Sequence, residues 1–411
     1  MDFLAPSKKP SLLGRDTQGI ALFMVLACIS VLSILVTEFT YIAQISQAIA
    51  FGGLDHAQAH YLAKSGLKLS LLRLKLFQQV QPLLKRLPPG TGNMQGMINK
   101  VGWSAPFMYP IPTQLLGLSP GDRDLVKKFE HEIGIEGKFS ITITSESSKY
   151  NLNSFLPRLN GEPPPPPQTS TGAGQNGAPP PPPPPPFDAA QSRNSLAEHL
   201  KGLMKLRMET DSAFAATYRD LRITDLVDEI AGWADRTYTR QTATSRDPVP
   251  MKQAPFYSIT ELHNLATLDD DLYQLFASQM TAHETTGINV NTLQGATLRA
   301  IIPLMTADEV KAFFVFRDSE TQDNLFKQVD DFYQYLAQNV AAYRNKPQSL
   351  DDLKNKLTER NIRLITDETL FKIMVQASVN AASRTIEAWV SLETAKAPQD
   401  LGIKLTYLRI Y

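Results

Sequence analysis

An uncharged stretch near the N-terminus constrains this 411-residue chain more than any other feature. No charged side chain occurs between Asp16 and Glu38, and most of the residues between them are Leu, Ile, Val, Ala and Met. As a helix that rises about 1.5 Å per residue, the 21 uncharged residues span the ~30 Å hydrocarbon core of a bilayer. We therefore predict a membrane-spanning helix that contains Ile20, Met24 and Val36.

The helix is expected to continue well beyond the membrane. Helix-compatible residues run on through Gly52-Gly53, and Pro82 is where we predict the helix to end. Apolar residues at helical spacing predict the face that packs on a soluble domain: Leu54, Tyr61, Leu62, Leu69, Leu72 and Leu76. The result is one apolar rod, half in lipid and half packed on soluble structure.

The residues before the apolar stretch are basic, with Lys8, Lys9 and Arg15. By the positive-inside tendency, residues 1–19 are cytoplasmic and the rest of the chain lies across the membrane. A cleaved secretory signal is disfavoured because the apolar run is too long and no clear Ala-x-Ala site follows it. An uncleaved signal anchor and a leader processed at Gly19 both remain open at this point.

Composition excludes some functions. Lys+Arg and Asp+Glu both number 41, so the charge balance indicates no general affinity for nucleic acid. The single cysteine, Cys28, cannot form an intrachain disulfide. No Gly-x-Ser-x-Gly, phosphate-binding Gly-rich loop or His-Glu-x-x-His occurs, so the sequence does not indicate an enzyme.

Beyond the rod, hydrophobic patterning indicates both strands and helices. Strict alternation predicts a strand over 139–144 and a hairpin over 371–379 and 385–392, with a third strand over 402–411. Helical spacing predicts Ser195–Met208, Phe214–Gly232 and Leu272–Met280 within a mainly helical region, 190–345. The turn-rich stretch 87–122 gives no clear element. Proline runs in 160–187 predict an exposed linker or insertion, a spacer rather than a ligand for a proline-binding domain.

The N-terminal region resembles the leader of type IV pilin-like proteins, which a prepilin peptidase cuts after a glycine at the membrane boundary. The resemblance places that cut between Gly19 and Ile20. Most members carry Glu at the fifth mature position, where this chain has Met24. The large minor pseudopilin of type II secretion, the protein K family, characteristically lacks that Glu.

Further motifs match protein K in the same order along the chain. They are Asn151-Leu152-Asn153 after a strand, Trp233-Ala234-Asp235, the stretch Pro255–Leu262, and Ile288-Asn289-Val290-Asn291-Thr292. The resemblance implies an α+β, type IV pilin-like fold, a long N-terminal helix plus an antiparallel sheet. It also implies a large inserted all-α domain of SAM-like subdomains. The implied structural motif residues are Asn151, Asn153, Trp233, Asp235, Asn289 and Asn291.

Combined with composition, the resemblance gives six segments. Residues 1–19 are the prepilin leader, 20–80 the transmembrane and long pilin helix, and 81–155 the first part of the pilin-like β domain. Residues 156–189 are the proline-rich insertion, 190–365 the inserted SAM-like helical domain, and 366–411 the strands that complete the sheet.

The implied function is that of a minor pseudopilin that caps the tip of a periplasmic pseudopilus and helps to initiate its assembly. Its implied partners are the minor pseudopilins of the I and J type, the major pseudopilin, the prepilin peptidase and the bacterial inner membrane, which it crosses once. Nucleic acid is not among them.

Two alternatives belong to other classes. Ile288-Asn289-Val290-Asn291-Thr292 also resembles the opening of helix-hairpin-helix modules in DNA-uptake proteins, but no Gly-Ile-Gly hairpin follows it. Between Glu284 and Val340 eight acidic residues oppose four basic ones, which disfavours phosphate binding. A membrane-anchored hydrolase built from distant residues is the third hypothesis.

The sequence offers two candidate metal sites. The protein K family binds calcium in a loop after Trp-x-Asp, which makes Asp235 and Asp247 the candidate ligands here. Calcium needs six to eight oxygens, and three arginines lie between these two carboxylates, so we expect no cofactor and no effect of a chelator on stability. His56 and His60 lie on one helix face, but without a third ligand we interpret them as a solvated face.

Overall fold

The computed structural model describes residues 13–85, 103–111, 120–133, 136–157, 188–239, 251–319, 324–393 and 402–411. Its architecture is mixed α+β. One very long helix lies against an antiparallel sheet, and a set of shorter helices is inserted in the chain between two strands of that sheet. This confirms the predicted fold class.

Helix α1, Leu13–Lys85, is 73 residues long. Within the described residues it is the one helix long and apolar enough to cross a membrane, with a mean hydropathy of 2.8 in its most apolar window and none of that window buried. The hydroxyls of Ser30, Thr37 and Thr40 donate to the carbonyl four residues earlier. These polar groups are therefore satisfied inside the helix and make no demand on water.

The predicted end of α1 at Pro82 is wrong by three residues, because the helix continues to Lys85. A proline lacks one amide donor and disturbs the turn before it. Near a helix terminus that loss is small, so less than one further turn follows Pro82 before the helix ends.

The sheet has five antiparallel strands in the order β1-β2-β7-β8-β9. The strands are β1 Phe107–Tyr109, β2 Lys138–Ser145, β7 Leu370–Val379, β8 Ala382–Leu392 and β9 Ile403–Ile410. The predicted strand 139–144, the hairpin and the C-terminal strand are confirmed. A two-residue turn joins β7 to β8, and its first residue, Asn380, has φ 49°, a left-handed conformation that asparagine tolerates.

Two elements before β2 were not predicted, one inside the turn-rich stretch 87–122 and one that begins near its end. Strand β1 pairs with β2 at one edge of the sheet, and helix α2, Pro120–Ile133, precedes β2. Strand β1 has three residues, which is too short for a period-2 pattern to distinguish it from the surrounding turns.

The second half of α1 packs on β2, β7 and β8. Small residues line this contact: Ala59, Ala63, Gly66 and Ser70 are all buried. A Cβ at Gly66 would come within 2.6 Å of Val375 Cγ1, so only glycine allows the helix to approach β7 this closely. Leu62, Leu67, Leu74 and Phe77 fill the remaining space above Ile141, Ile373, Val375, Ile386 and Val390.

The predicted buried face of α1 is largely wrong. Of its six residues, Leu62 is buried and Leu69 is partly buried, whereas Leu54, Tyr61, Leu72 and Leu76 are exposed. The prediction favoured large apolar side chains, but close packing of a helix on a sheet selects small ones. The large side chains at the four mispredicted positions are exposed, whereas Leu67, Leu74 and Phe77 are buried beside the small residues.

The remaining helices form a second compact unit with its own hydrophobic core. They are α3 Ala189–Thr210, α4 Ser212–Tyr218, α5 Ile223–Ala234, α6 Asp270–Gln279, α7 Gly295–Ile301, α8 Ala307–Arg317, α9 Val329–Asn339 and α10 Pro347–Glu359. Two short parallel strand pairs accompany them, β3 (Tyr150–Asn151) with β4 (Met280–Thr281), and β5 (Ile288–Asn289) with β6 (Leu364–Ile365).

The helices predicted over 195–208 and 272–280 are confirmed as parts of α3 and α6. The single helix predicted over 214–232 is wrong, because α4 and α5 are separate. The chain turns after Tyr218, where the N–H of Leu221 donates to the carbonyl of Tyr218, three residues back.

Candidate functional site

The first motif pair, Asn151 and Asn153, ties three chain segments together. Asn151 Oδ1 accepts the N–H of Asn153 at 2.9 Å and shapes the turn after β3. The Asn153 side chain then accepts the N–H of Phe256 at 2.9 Å and donates to the carbonyls of Phe256 and Ala282 at 2.9 and 2.7 Å. We call this arrangement the Asn153 clamp.

The second motif pair repeats the same bonds. Asn289 Oδ1 accepts the N–H of Asn291 at 2.9 Å. The Asn291 side chain accepts the N–H of Phe326 at 2.9 Å and donates to the carbonyls of Phe326 and Thr366 at 2.9 and 3.2 Å. This is the Asn291 clamp, and each of its bonds has a counterpart in the Asn153 clamp.

The correspondence extends beyond the asparagines. Ala282 directly follows β4 and Thr366 directly follows β6, the partner strands of the two motifs. Five residues after each clamped phenylalanine, a carboxylate accepts two backbone N–H groups: Glu261 those of Tyr257 and Ser258, and Asp331 those of Lys327 and Gln328. The helical unit therefore contains the same hydrogen-bonded module twice in succession.

The Trp233 and Asp235 motif residues lie at the end of α5. Trp233 Nε1 donates to Glu261 Oε2 at 3.1 Å, and Lys252 Nζ lies 2.7 Å from the same oxygen. Burial disfavours ionisation of Glu261, but the bonds from Lys252, Tyr257 and Trp233 outweigh it and hold the pKa of the carboxyl below its usual value. The tryptophan thus anchors the carboxylate that caps the first module's short helix, Ile259–Asn264.

Asp235 is buried, and its Oδ1 accepts the amide N–H and the hydroxyl of Thr237 at 2.8 and 2.7 Å. The second candidate calcium ligand, Asp247, lies outside the described residues. Within the described part of the chain, no group of three or more His, Cys, Asp or Glu side chains is arranged to hold a metal ion. The expected independence from calcium stays a prediction. His56 is exposed, and His60 packs edge-on against the ring of Tyr61.

A buried carboxylate that the sequence did not single out joins the helical unit to the sheet. Glu368, 5% exposed, lies between β6 and β7 and accepts the hydroxyl of Ser145 from the end of β2. Burial raises the pKa of Glu368, and hydrogen bonds from neighbouring side chains counteract part of that rise. Ser147 accepts the N–H groups of Thr369 and Leu370 at 2.8 and 2.9 Å.

The second clamp reaches the same junction, because the N–H of Asn289 donates to the carbonyl of Ser147 at 2.9 Å. Gln81, near the end of α1, donates to Asp367 at 3.0 Å. The long helix, the sheet and the second module therefore meet within a few residues. Neither alternation nor helical periodicity marks such a polar junction, so sequence patterning offered no signal for it.

The residues predicted for processing and membrane insertion lie on the other half of α1. Ile20, Met24 and Val36 are exposed, and a Cβ at Gly19 would meet no atom within 4 Å. The apolar surface around them is continuous along this half of the helix, and a surface of this extent requires lipid or protein to cover it.

Comparison with known proteins gives one kind of match. No protein-family model matches the chain, and no curated protein matches it. Among solved structures, it is similar to a chain of the crystal structure of the GspK-GspI-GspJ complex from the enterotoxigenic Escherichia coli type 2 secretion system. The match has a TM-score of 0.51 at 16% sequence identity and covers 88% of this chain and 99% of the other.

The chain has a GspK-like fold. This is the fold that the motif resemblance to protein K predicted. The match covers most of this chain and nearly all of the other, so it is not confined to a small part of the fold. At this level of identity the match establishes the fold, and the role of the chain is inferred below.

Proposed function

We propose that this chain is a minor pseudopilin of a type II protein secretion system. In this proposal, prepilin peptidase cuts between Gly19 and Ile20. The mature helix then leaves the bilayer of the bacterial inner membrane and packs among the helices of other pseudopilins. The remainder of the chain is periplasmic, with the helical unit inserted into a pilin-like domain.

The single observation that carries this proposal is the division of α1. Its second half is buried on the sheet of its own chain, whereas its first half has no cover from any described residue. An ordinary anchor needs only a span long enough for lipid. Here the apolar helix continues without interruption into a folded domain. The first half of α1, and any lipid or protein that covers it, is therefore joined to the sheet by one continuous helix.

A position at the tip of the filament follows from two further features. Met24 supplies no carboxylate to neutralise the terminal amine of a neighbouring subunit, a role that Glu has in most pilin-like proteins. The helical unit, with eight α-helices among its described residues, joins the sheet where β2 ends and β7 begins, and this bulk is a poor surface for stacking another pilin-like subunit. Both features suit a subunit with no subunit above it, and they support a role in starting assembly.

The DNA-uptake alternative gains nothing from the structure. Among the four basic residues of 284–340, Arg299 pairs with Glu209 at 2.8 Å and Arg317 with Asp318 at 2.8 Å. Lys311 lies 3.4 Å from Asp308. Cations that are already paired with carboxylates offer little to a phosphate backbone, and the acidic excess of this region repels it.

Two measurements test the proposed function. Sequencing of the membrane-bound form is expected to begin at Ile20 when prepilin peptidase is present, and Gly19→Val is expected to retain the full leader. The full-length chain is also expected to co-purify with small minor pseudopilins of the same bacterium. A mature form that keeps residues 1–19 in the presence of the peptidase would refute the proposal.

A further inference from the structure

Strand β9 carries an apolar face of which only Ile403, at its start, packs on the core, while the described elements leave the rest exposed. Along β9 the side chains of Ile403, Leu405, Leu408 and Ile410 share the face on which α1 lies, because they pair with the inward residues of β8. The other face carries Lys404, Tyr407 and Arg409. The alternation is the pattern of a strand with one buried face.

The exposure of this face differs sharply from that of its neighbour. On β8, Ile386, Ala388 and Val390 are each 0% exposed beneath α1. On β9, Leu405, Leu408 and Ile410 are 46%, 41% and 40% exposed. The long helix makes its main contacts with β2, β7 and β8, and it reaches the start of β9 where Gln78 donates to the carbonyl of Gly402.

The side of α1 next to the exposed face of β9 is basic. Gln78 donates to the carbonyl of Glu393 at 2.8 Å, just before β9, so the line of α1 through Gln78 faces this strand. Residues seven apart lie on nearly the same line of a helix, which places Leu71 and Lys64 there. Lys68 and Lys75 flank that line, and none of the three lysines has an ion pair within the described residues.

The usual spacings of strands and helices leave room for one more helix beside α1, over the exposed face of β9. Neighbouring strands lie about 4.8 Å apart, and packed helices lie about 8–10 Å apart. A second helix placed beside α1 at that distance therefore lies over β9, where it would cover the three exposed residues as α1 covers β8. Between residues 39 and 81 the only acidic side chain is Asp55, so the basic side of α1 favours a neighbouring helix with acidic side chains.

We propose that the inner face of β9, together with Lys64 and Leu71 of α1 and the flanking Lys68 and Lys75, is a docking surface for one α-helix of a neighbouring subunit. That helix carries an apolar stripe against Leu405, Leu408 and Ile410 and acidic side chains opposite the lysines. The identity of the neighbour as a small pseudopilin rests on the proposed function. The surface and the chemistry of the helix are drawn from the structure.

The experiment uses the full-length chain, with Cys28→Ala, co-purified with small minor pseudopilins of the same bacterium. Leu408→Ser is expected to weaken the complex by about tenfold or more, because a buried apolar contact is removed. Arg409→Ser, the adjacent position on the opposite face, is expected to change affinity less than about twofold. Lys68→Glu with Lys75→Glu is expected to weaken the complex, whereas Lys311→Glu on the helical unit leaves it unchanged.

Cross-linking from Leu408→Cys distinguishes a partner helix from a partner strand on this surface. It also tests the surface if Leu408→Ser lowers the melting temperature, because weaker binding by that variant could then reflect lost stability. A cross-link from Leu408→Cys, and not from Arg409→Cys, to a helix of the partner supports the proposal. A cross-link to a partner strand overturns the helix as occupant. A stable complex that is insensitive to Leu408→Ser and forms no cross-link overturns the surface while the proposed function stands. If the wild-type chains form no complex, both proposals fall.

Discussion

Replacing Asn291 by alanine removes the whole Asn291 clamp. The substitution deletes three side-chain hydrogen bonds, to the N–H and carbonyl of Phe326 and to the carbonyl of Thr366. A net contribution of about 1 kcal/mol per bond gives a loss of about 3 kcal/mol, and partners left dry add to it. Asn291→Asp keeps the acceptor and loses both donors, so we expect about 2 kcal/mol for that variant.

The matched control is Asn194→Ala, because Asn194 is exposed on α3. A surface substitution of this kind is expected to change the free energy of unfolding by less than about 0.5 kcal/mol. The assay is urea unfolding of the full-length protein in detergent, followed by circular dichroism. Hydrogen exchange at the amides of Phe326 and Phe256, which donate to Asn291 and Asn153, then reports on each module by itself.

The two clamps also make a prediction about each other. Asn153→Ala breaks the equivalent bonds in the first module, and the two asparagines share no partner. Their effects on stability are therefore expected to add to within about 0.5 kcal/mol. An Asn291→Ala variant as stable as Asn194→Ala would show that the clamp bonds contribute nothing, and the interpretation of the repeated module as a structural unit would be wrong.

Three further predictions follow from single sites. Chelation by EDTA is expected to leave the melting temperature unchanged, and a large decrease would show that the loop after Asp235 binds calcium after all. Burial raises the pKa of Glu368, so its carboxyl holds a proton more strongly in the folded protein than in the unfolded chain. The contribution of this group to stability is therefore expected to fall as the pH rises above about 4.5, the ordinary pKa of a glutamate. Glu368→Gln removes that contribution, so urea midpoints of variant and wild type should diverge between pH 4.5 and 7.5, and parallel curves would contradict the assignment. Gly66→Ala is expected to destabilise the protein by about 1–3 kcal/mol through overlap with Val375, whereas Gly53→Ala, with open space around it, is expected to stabilise the helix slightly, as thermal unfolding would show.

The strands were predictable because their patterns are local. Phe371–Val379 alternates strictly over its whole length, and the structure buries the apolar set of that alternation. Every residue of such a strand follows the same apolar/polar alternation, so the strand is predicted correctly even where its first or last residue is misassigned. The long helix was predictable for a similar reason, since its first half is defined by an uncharged stretch and its second by the absence of glycine-proline breaks.

Features that depend on which atoms meet across the chain were not predictable in this way. The buried face of α1 is marked by Ala59, Ala63 and Gly66, whose small size has value only because β7 lies directly beneath them. The repeated clamp did leave a trace, since both motifs read Asn, an apolar residue, Asn. A comparison of the chain with itself would have found it, whereas a search for catalytic or metal-binding patterns does not.

The polar junction at Glu368 explains how an inserted helical unit can act with the rest of the chain. Two connecting segments join the unit to the sheet, one after β2 and one before β7. These covalent links alone would not fix the orientation of the unit relative to the sheet. Ser147 binds the backbone on both sides of the entry to β7, and Asn289 of the second module binds Ser147 in turn. Displacing the helical unit therefore requires breaking buried hydrogen bonds where β2 ends and β7 begins. Because Gln81 of α1 bonds to Asp367 in the same connection, a force applied to the helical unit is transmitted to the long helix through a few residues.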